Sequence, residues 1–178
     1  MKNIIDTQRL SLREFVLEDA EAVLKFNAHP EVMQYTGDES ISSLEQASHL
    51  ISETWLADYK RYGYGRWALI HKTENKIIGF AGLKYLPELL KTDIGFRMLP
   101  QYWGRGFATE VSVAILNHGF EHYSLEQIIG IVQPENMGSA KVLQKIGMHW
   151  YQAAPYLEGD KVYDWYQINK NDFYKNKR

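Results

Sequence analysis

The sequence predicts an α/β (α+β) fold: one mixed β-sheet with helices on its faces. Three observations predict it. Strand-like stretches and stretches of helical period follow one another in the order β-α-α-β-β-β-α-β-α-β-β, with about seven strands. The length, 178 residues, suits a single domain spanning residues 1–178. Hydrophobic residues make up 45% and charged residues 24%, enough to fill a core and too apolar for a disordered chain.

Each element has a local reason. Leu10, Leu12 and the run to Phe15 alternate as a first strand. Leu17 to Ala20 opens a helix, with Ala22, Val23 and Phe26 at helical spacing, and His29-Pro30 ends it. Ser42 or Ser43 with Glu45 or Gln46 resembles a capping box for a longer helix through Leu50, Ile51, Trp55 and Tyr59, which Gly63 and Gly65 stop. Strands are then predicted over Arg66 to His71, Lys76 to Tyr85 and Thr92 to Leu99, with Asn75 in the first turn. A helix over Ala108 to His122 leads to a short strand, Gln127 to Gln133. If this strand lies parallel to Thr92–Leu99, the crossover must be right-handed. Asn136 to Ile146 is helical and closed by Gly147. Met148 to Tyr156 and Lys161 to Asn169 form a last hairpin through Glu158-Gly159-Asp160.

Bulk properties exclude several functions. The net charge is −2, and no basic stripe marks a nucleic-acid surface; Lys175 to Arg178 reads as a solvated tail. Cysteine is absent, so disulfides and thiolate metal sites are excluded. His118 and His122 are four apart on one helix, but two ligands do not make a zinc site, and no metal is expected. The first residues carry no long apolar run, so neither a signal peptide nor a membrane span is expected, and the protein is expected to be cytoplasmic.

The stretch between strand and helix, Pro100 to Glu110, carries the functional signal. A helix start leaves N–H groups free at a positive dipole end, and Gly104 and Gly106 let backbone approach an anion. Arg105 adds a donor fork suited to phosphate. A P-loop would need a closing Gly-Lys-Ser/Thr, which is absent. The dinucleotide fingerprint nearly fits, with Thr109 at its third glycine and Glu126 about 20 residues on, but too little chain follows for its βαβ units. On the residues alone, a plain tight turn also stays open.

Gln101-Tyr102-Trp103-Gly104-Arg105-Gly106 resembles the Q/R-x-x-G-x-G/A signature of the GNAT family of N-acetyltransferases. The likeness covers nearly the whole chain. Asp93-Ile94-Gly95-Phe96 is similar to the family's fourth strand, often E-I-G-Y, and Phe107-Ala108-Thr109-Glu110 to its Y-A-T-E continuation. Asn136-Met137-Gly138-Ser139 and Lys145-Ile146-Gly147-Met148 resemble its N-x-x-S and K-x-G-F elements. Thr7 to Arg13, with Asp19-Ala20 and Pro30-Glu31-Val32, resembles the RimJ/RimL branch of ribosomal-protein N-terminal acetyltransferases.

The resemblance implies a strongly twisted sheet, splayed between the strands Thr92–Leu99 and Gln127–Gln133, with acetyl-CoA as cosubstrate. It places pantetheine against backbone groups near Met98. It places the pyrophosphate on the N–H groups from Gly104, Arg105, Gly106, Phe107 and Ala108 to Thr109, with Gln101 in the signature. Asn136 would contact the cofactor. Ser139 would be the acid near sulfur, at the positive end of a helix that Asn136 caps; pure capping is the plainer reading of both residues. Asp93 is the candidate base, one methylene shorter than the usual Glu; a surface or strand-edge carboxylate is the equal alternative. An acid that relatives can carry before a Tyr-Leu-x-Gly stretch is replaced here by Pro155, ahead of Tyr156 to Gly159.

The acceptor is expected to be a primary amine. A peptide or protein N-terminal α-amine is one reading; a polyamine, amino acid or antibiotic is another; a CoA-binding sensor without catalysis is a third. Tyr35, Trp55 and Trp67 are candidates for an acceptor groove. A homodimer stays open.

Overall fold

A computed structural model describes residues 3–156 and 160–175. One eight-stranded sheet, in the order β1-β2-β3-β4-β5-β6-β8-β7, organises the chain. Its strands are β1 (Ile5–Asp6), β2 (Leu10–Arg13), β3 (Arg66–His71), β4 (Lys76–Leu86), β5 (Lys91–Met98), β6 (Gln127–Val132), β7 (His149–Pro155) and β8 (Val162–Asn169). Every neighbouring pair is antiparallel except β5 with β6, which is parallel. The eighth strand beyond the expected seven is β1. Two residues are too few for alternation to be visible, and pairing of Ile5 with Leu12 makes it a strand. The hairpin residues 157–159, including Glu158, lie outside the described residues.

The helices are α1 (Ala20–Asn27), α2 (Pro30–Met33), α3 (Leu44–Leu50), α4 (Ala57–Tyr62), α5 (Phe107–His122), α6 (Met137–Lys145) and α7 (Lys170–Lys175). Pro30 does not only end α1; it occupies the first turn of α2, where a missing N–H costs nothing. The long helix expected before Gly63 begins as read, with the Ser43 hydroxyl accepting the Gln46 N–H at 3.2 Å. Its middle, Ile51–Leu56, widens into a π-helical turn that joins α3 to α4. That turn buries Ile51 and Trp55, and Trp55 stacks on Phe15 at 4.2 Å. α7 escapes the periodicity because it is short and polar; buried Phe173, 5.3 Å from Phe120, docks it. Among the described residues, no helix is long and apolar enough to cross a membrane.

The sheet splits where the function is expected. β5 pairs with β4 along its whole length, from Lys91 to Met98. Its pairing with β6 is a single residue pair, Asp93 with Ile129. β6 is tied on its other edge to β8 from Gln127 to Val132. Beyond Asp93 the two strands therefore diverge, each held by its outer neighbour.

Candidate active site

The split opens into a cleft of about 1090 Å³. Ile94 to Met98 line it from β5, and Ile131 and Val132 from β6. The turn and first residues of α5 contribute Gly104, Gly106, Phe107, Ala108 and Thr109; the start of α6 contributes Asn136 and Ser139. Asp93, Tyr35 and Trp55 line it toward the N-terminal helices. The structure thus brings together most of the residues singled out from the sequence. Gln101 and Arg105 lie outside the lining. Gln101 is exposed on the 3-10 turn Pro100–Tyr102, and the Arg105 guanidinium lies 5.7 Å over Tyr102 and 4.7 Å over Phe107. Trp67 is fully buried, edge-on to His118 at 6.0 Å, and takes no part in the cleft.

The start of α5 is built for a guest. Gly104 and Gly106 have φ of +70° and +79°, a left-handed backbone that L side chains rarely adopt. Gly106 is the N-cap, and no side chain caps this helix. The first intrahelical bond runs from the Glu110 N–H to the Gly106 carbonyl at 3.0 Å. The N–H groups of Phe107, Ala108 and Thr109 precede it and have no acceptor within the helix. With the dipole behind them, they could hold an anion on the cleft wall.

A brace stands behind this turn. Glu110 accepts the Thr7 hydroxyl at 2.6 Å and the Arg9 backbone N–H at 2.9 Å on one oxygen, and Arg9 Nε at 2.6 Å on the other. Burial works against the charged form of Glu110, but these donors outweigh it and hold its carboxyl below the ordinary value. Arg9 Nη1 also donates to the Arg105 carbonyl at 2.9 Å, and its guanidinium lies 4.4 Å over the Phe107 ring.

The start of α6 is arranged differently. Asn136 is its N-cap, and Asn136 Oδ1 accepts the Ser139 N–H at 3.1 Å. Ser139 is therefore at the third helical position, half-buried, within the same cleft. Met98 is buried at the end of β5, and its carbonyl accepts the Trp103 indole N–H at 2.7 Å. Trp103 itself lines the cleft.

Asp93 sits at the only residue pair joining β5 to β6 and is 8% exposed. One oxygen is ion-paired with Arg66 Nη2; the other, Oδ1, is buried with no hydrogen-bond partner among the described residues. Burial pushes the carboxyl up, and the Arg66 charge and hydrogen bond, the Ile131 backbone N–H nearby on β6 and the Lys84 charge only partly offset this. Arg66 reaches Asp93 because Gly82 and Gly95 stand in line with it on β4 and β5; a Cβ on Gly95 would come within 2.5 Å of its guanidinium. Arg97, two residues beyond Gly95, is bonded to Asn27 Oδ1 and to Asp38 at 2.6 Å. Burial pulls its guanidinium below the ordinary value, against the Asp38 charge. These arginines and the Arg9 brace were not readable as site residues, because their partners are tens of positions away. His118 and His122 stack at 4.1 Å, and no group of three or more His, Asp or Glu among the described residues could hold a metal ion.

A split mixed sheet with an uncapped helix start on its wall is an arrangement that could receive an anionic ligand on backbone N–H groups. The comparisons supply the family. The model of the acetyltransferase (GNAT) domain matches residues 9–149, and the chain belongs to the GNAT acetyltransferase family. It is 33% identical over 145 residues to the uncharacterized N-acetyltransferase YoaA of Bacillus subtilis (strain 168), covering 81% of each chain. A GNAT-family acetyltransferase structure from Bacillus anthracis superposes with a TM-score of 0.78 at 29% identity, covering 94% of this chain and 98% of that one. The structure of RimL, a ribosomal L7/L12 α-N-protein acetyltransferase in complex with coenzyme A, superposes at a TM-score of 0.81 with 15% identity, covering 94% and 98%, and shares the fold.

Proposed function

We propose that this enzyme moves an acetyl group from acetyl-CoA directly to a primary amine, and that the amine is the α-amine of a protein or peptide N-terminus, as in the RimJ/RimL branch. The observation that carries the cosubstrate is the uncapped start of α5. Its free N–H groups beside a β5–β6 split suit a pyrophosphate with an extended arm running into the split. Acetyl-CoA would supply the acetyl group as an activated thioester.

The chain's own residues do the rest. Phe107, Ala108 and Thr109 hold the pyrophosphate through backbone N–H groups, and the backbone near Met98 orients the arm. Asp93, oriented by Arg66, takes the amine proton through water. The amine nitrogen attacks the acetyl carbonyl carbon, and the carbon–sulfur bond breaks. Ser139, at the positive end of α6, protonates the departing thiolate and regains its proton from solvent. With no cysteine in the chain, no acyl-cysteine forms on the way.

The α-amine reading rests on a magnitude. An α-amino group of pKa about 7.7–8.0 is roughly a tenth neutral near pH 7, whereas a lysine amine is neutral about once in 2,500 molecules. A short carboxylate acting through water is sufficient for the first and poor for the second. The test measures CoA thiol release with free N-terminal peptides, Nα-blocked lysine peptides and small polyamines or amino acids. N-terminal peptides are expected to lead. A clear preference for lysine or for a small molecule overturns the α-amine reading, and tight acetyl-CoA binding with no turnover on any amine overturns catalysis.

A further inference from the structure

The β1–β2 turn Thr7-Gln8-Arg9 lies about a hundred positions before the glycine turn and does not line the cleft, yet its Thr7 hydroxyl, Arg9 N–H and Arg9 guanidinium converge on the Arg105 carbonyl and on Glu110 in the first turn of α5. Arg9 Nη1 holds the Arg105 carbonyl at 2.9 Å. That carbonyl and the Gly106 N–H belong to one planar trans peptide, so they point in opposite directions. Arg9 pulls the oxygen to the rear of the turn. The Gly106 N–H must then face forward, to the side on which Gly104, Gly106 and Phe107 line the cleft. This peptide lies between Arg105 and left-handed Gly106, with left-handed Gly104 one residue before it, so the local backbone does little to fix that orientation.

We infer that Arg9 is a positioning residue for the cosubstrate: it locks the Arg105–Gly106 peptide so that the Gly106 N–H joins those of Phe107, Ala108 and Thr109 on the pyrophosphate. Glu110 aims Arg9. One carboxylate oxygen takes Arg9 Nε at 2.6 Å, and the other takes the Arg9 N–H and the Thr7 hydroxyl, so the guanidinium has a fixed plane as well as a fixed distance. Glu110 is in the first turn of α5, so the brace moves with the helix whose start it serves. The Arg9 guanidinium over the Phe107 ring at 4.4 Å closes the unit.

The inference rests on the pyrophosphate reading, and the experiment separates the two. Kinetics are measured with acetyl-CoA and with S-acetylpantetheine, which lacks the pyrophosphate, and ADP binding is measured by calorimetry. The unmodified enzyme should favour acetyl-CoA and bind ADP; equal use of both donors with no ADP binding overturns the pyrophosphate reading itself. Arg9→Met, which keeps an apolar stem over Phe107, should raise the KM for acetyl-CoA and the Kd for ADP about tenfold, as expected for one lost charge-assisted hydrogen bond. Its kcat should hold within about twofold, and its use of S-acetylpantetheine should be unchanged. Glu110→Gln, which keeps the side-chain shape, should show the same donor-selective loss at smaller size, and Arg9→Lys only a partial rescue. Equal losses with both donors would make the brace merely structural, and no loss of acetyl-CoA or ADP binding in either Arg9→Met or Glu110→Gln would overturn the inference.

Discussion

Two helix starts face the same cleft, and they solve the same problem in opposite ways. α6 satisfies its own first turn: Asn136 Oδ1 takes the Ser139 N–H at 3.1 Å. α5 has a glycine where a cap would stand, and no side chain accepts its leading N–H groups. A capped start is stable alone and offers a dipole with a hydroxyl fixed on it. A glycine start without a side-chain cap forgoes only about a few tenths of a kcal/mol of local stability and leaves its donors open to a ligand. On the proposed reading the difference separates two jobs: α5 would bind the pyrophosphate, and α6 would position Ser139 near the reacting atoms.

The comparison can be broken at the hydroxyl. Ser139→Ala should lower kcat about a hundredfold, the low end of the range for general acid catalysis, and leave the acetyl-CoA Kd within about twofold. Steady-state kinetics beside calorimetry read both, and an unchanged kcat removes Ser139 from the chemistry. It can be broken next at the uncapped start. Gly106→Val forces a β-branched residue into φ +79° and turns the N–H groups off their target. CoA affinity should fall about thirtyfold with the fold largely intact, from strain of about 1–2 kcal/mol plus a weakened hydrogen bond. CoA titration with circular dichroism checks this, and unchanged affinity would refute the placement of the pyrophosphate.

Asn136→Ala sharpens the contrast, because it makes α6 resemble α5. It should cost about 1 kcal/mol, a drop in Tm of roughly 2–4 °C, and this loss should appear without ligand. A protein whose Tm is indifferent to this change does not depend on the cap. The smallest effect concerns pH. The folded Glu110 carboxyl is held below its ordinary value, so its contribution is present above the unfolded value, near 4.3 for a free glutamate, and is lost as pH falls through the lower folded one. The stability difference between the protein and Glu110→Gln should therefore hold at neutral pH and close in acid. Urea unfolding at stepped pH measures it; a gap that widens toward acid contradicts the brace.

Much of the fold was legible because its signals are local. The strands Arg66–His71, Lys76–Leu86 and Lys91–Met98 and the helix Phe107–His122 lie within a residue or two of the periodicity that predicts them. β1 and α7 were missed because two or six residues do not make a period, and the π turn in Ile51–Leu56 because an extra residue in a turn leaves the apolar pattern nearly intact. The cleft was half legible. Gly104, Gly106, Asn136 and Ser139 announce themselves by short spacing. Arg66 does not, since its meaning depends on Gly82 and Gly95 arriving beside it in register and on Asp93 standing 27 positions away.

The sequence by itself determined most of the elements, their order and the turn chemistry at the two helix starts, because capping, left-handed glycines and apolar period are set by residues within one turn of each other. Only the tertiary structure decided where β5 and β6 part, which arginine holds Asp93, and that Arg9 and Glu110 brace the glycine turn. Those outcomes depend on strand register and on contacts such as Thr7 to Glu110, 103 residues apart, for which neither partner's neighbours carry a sign.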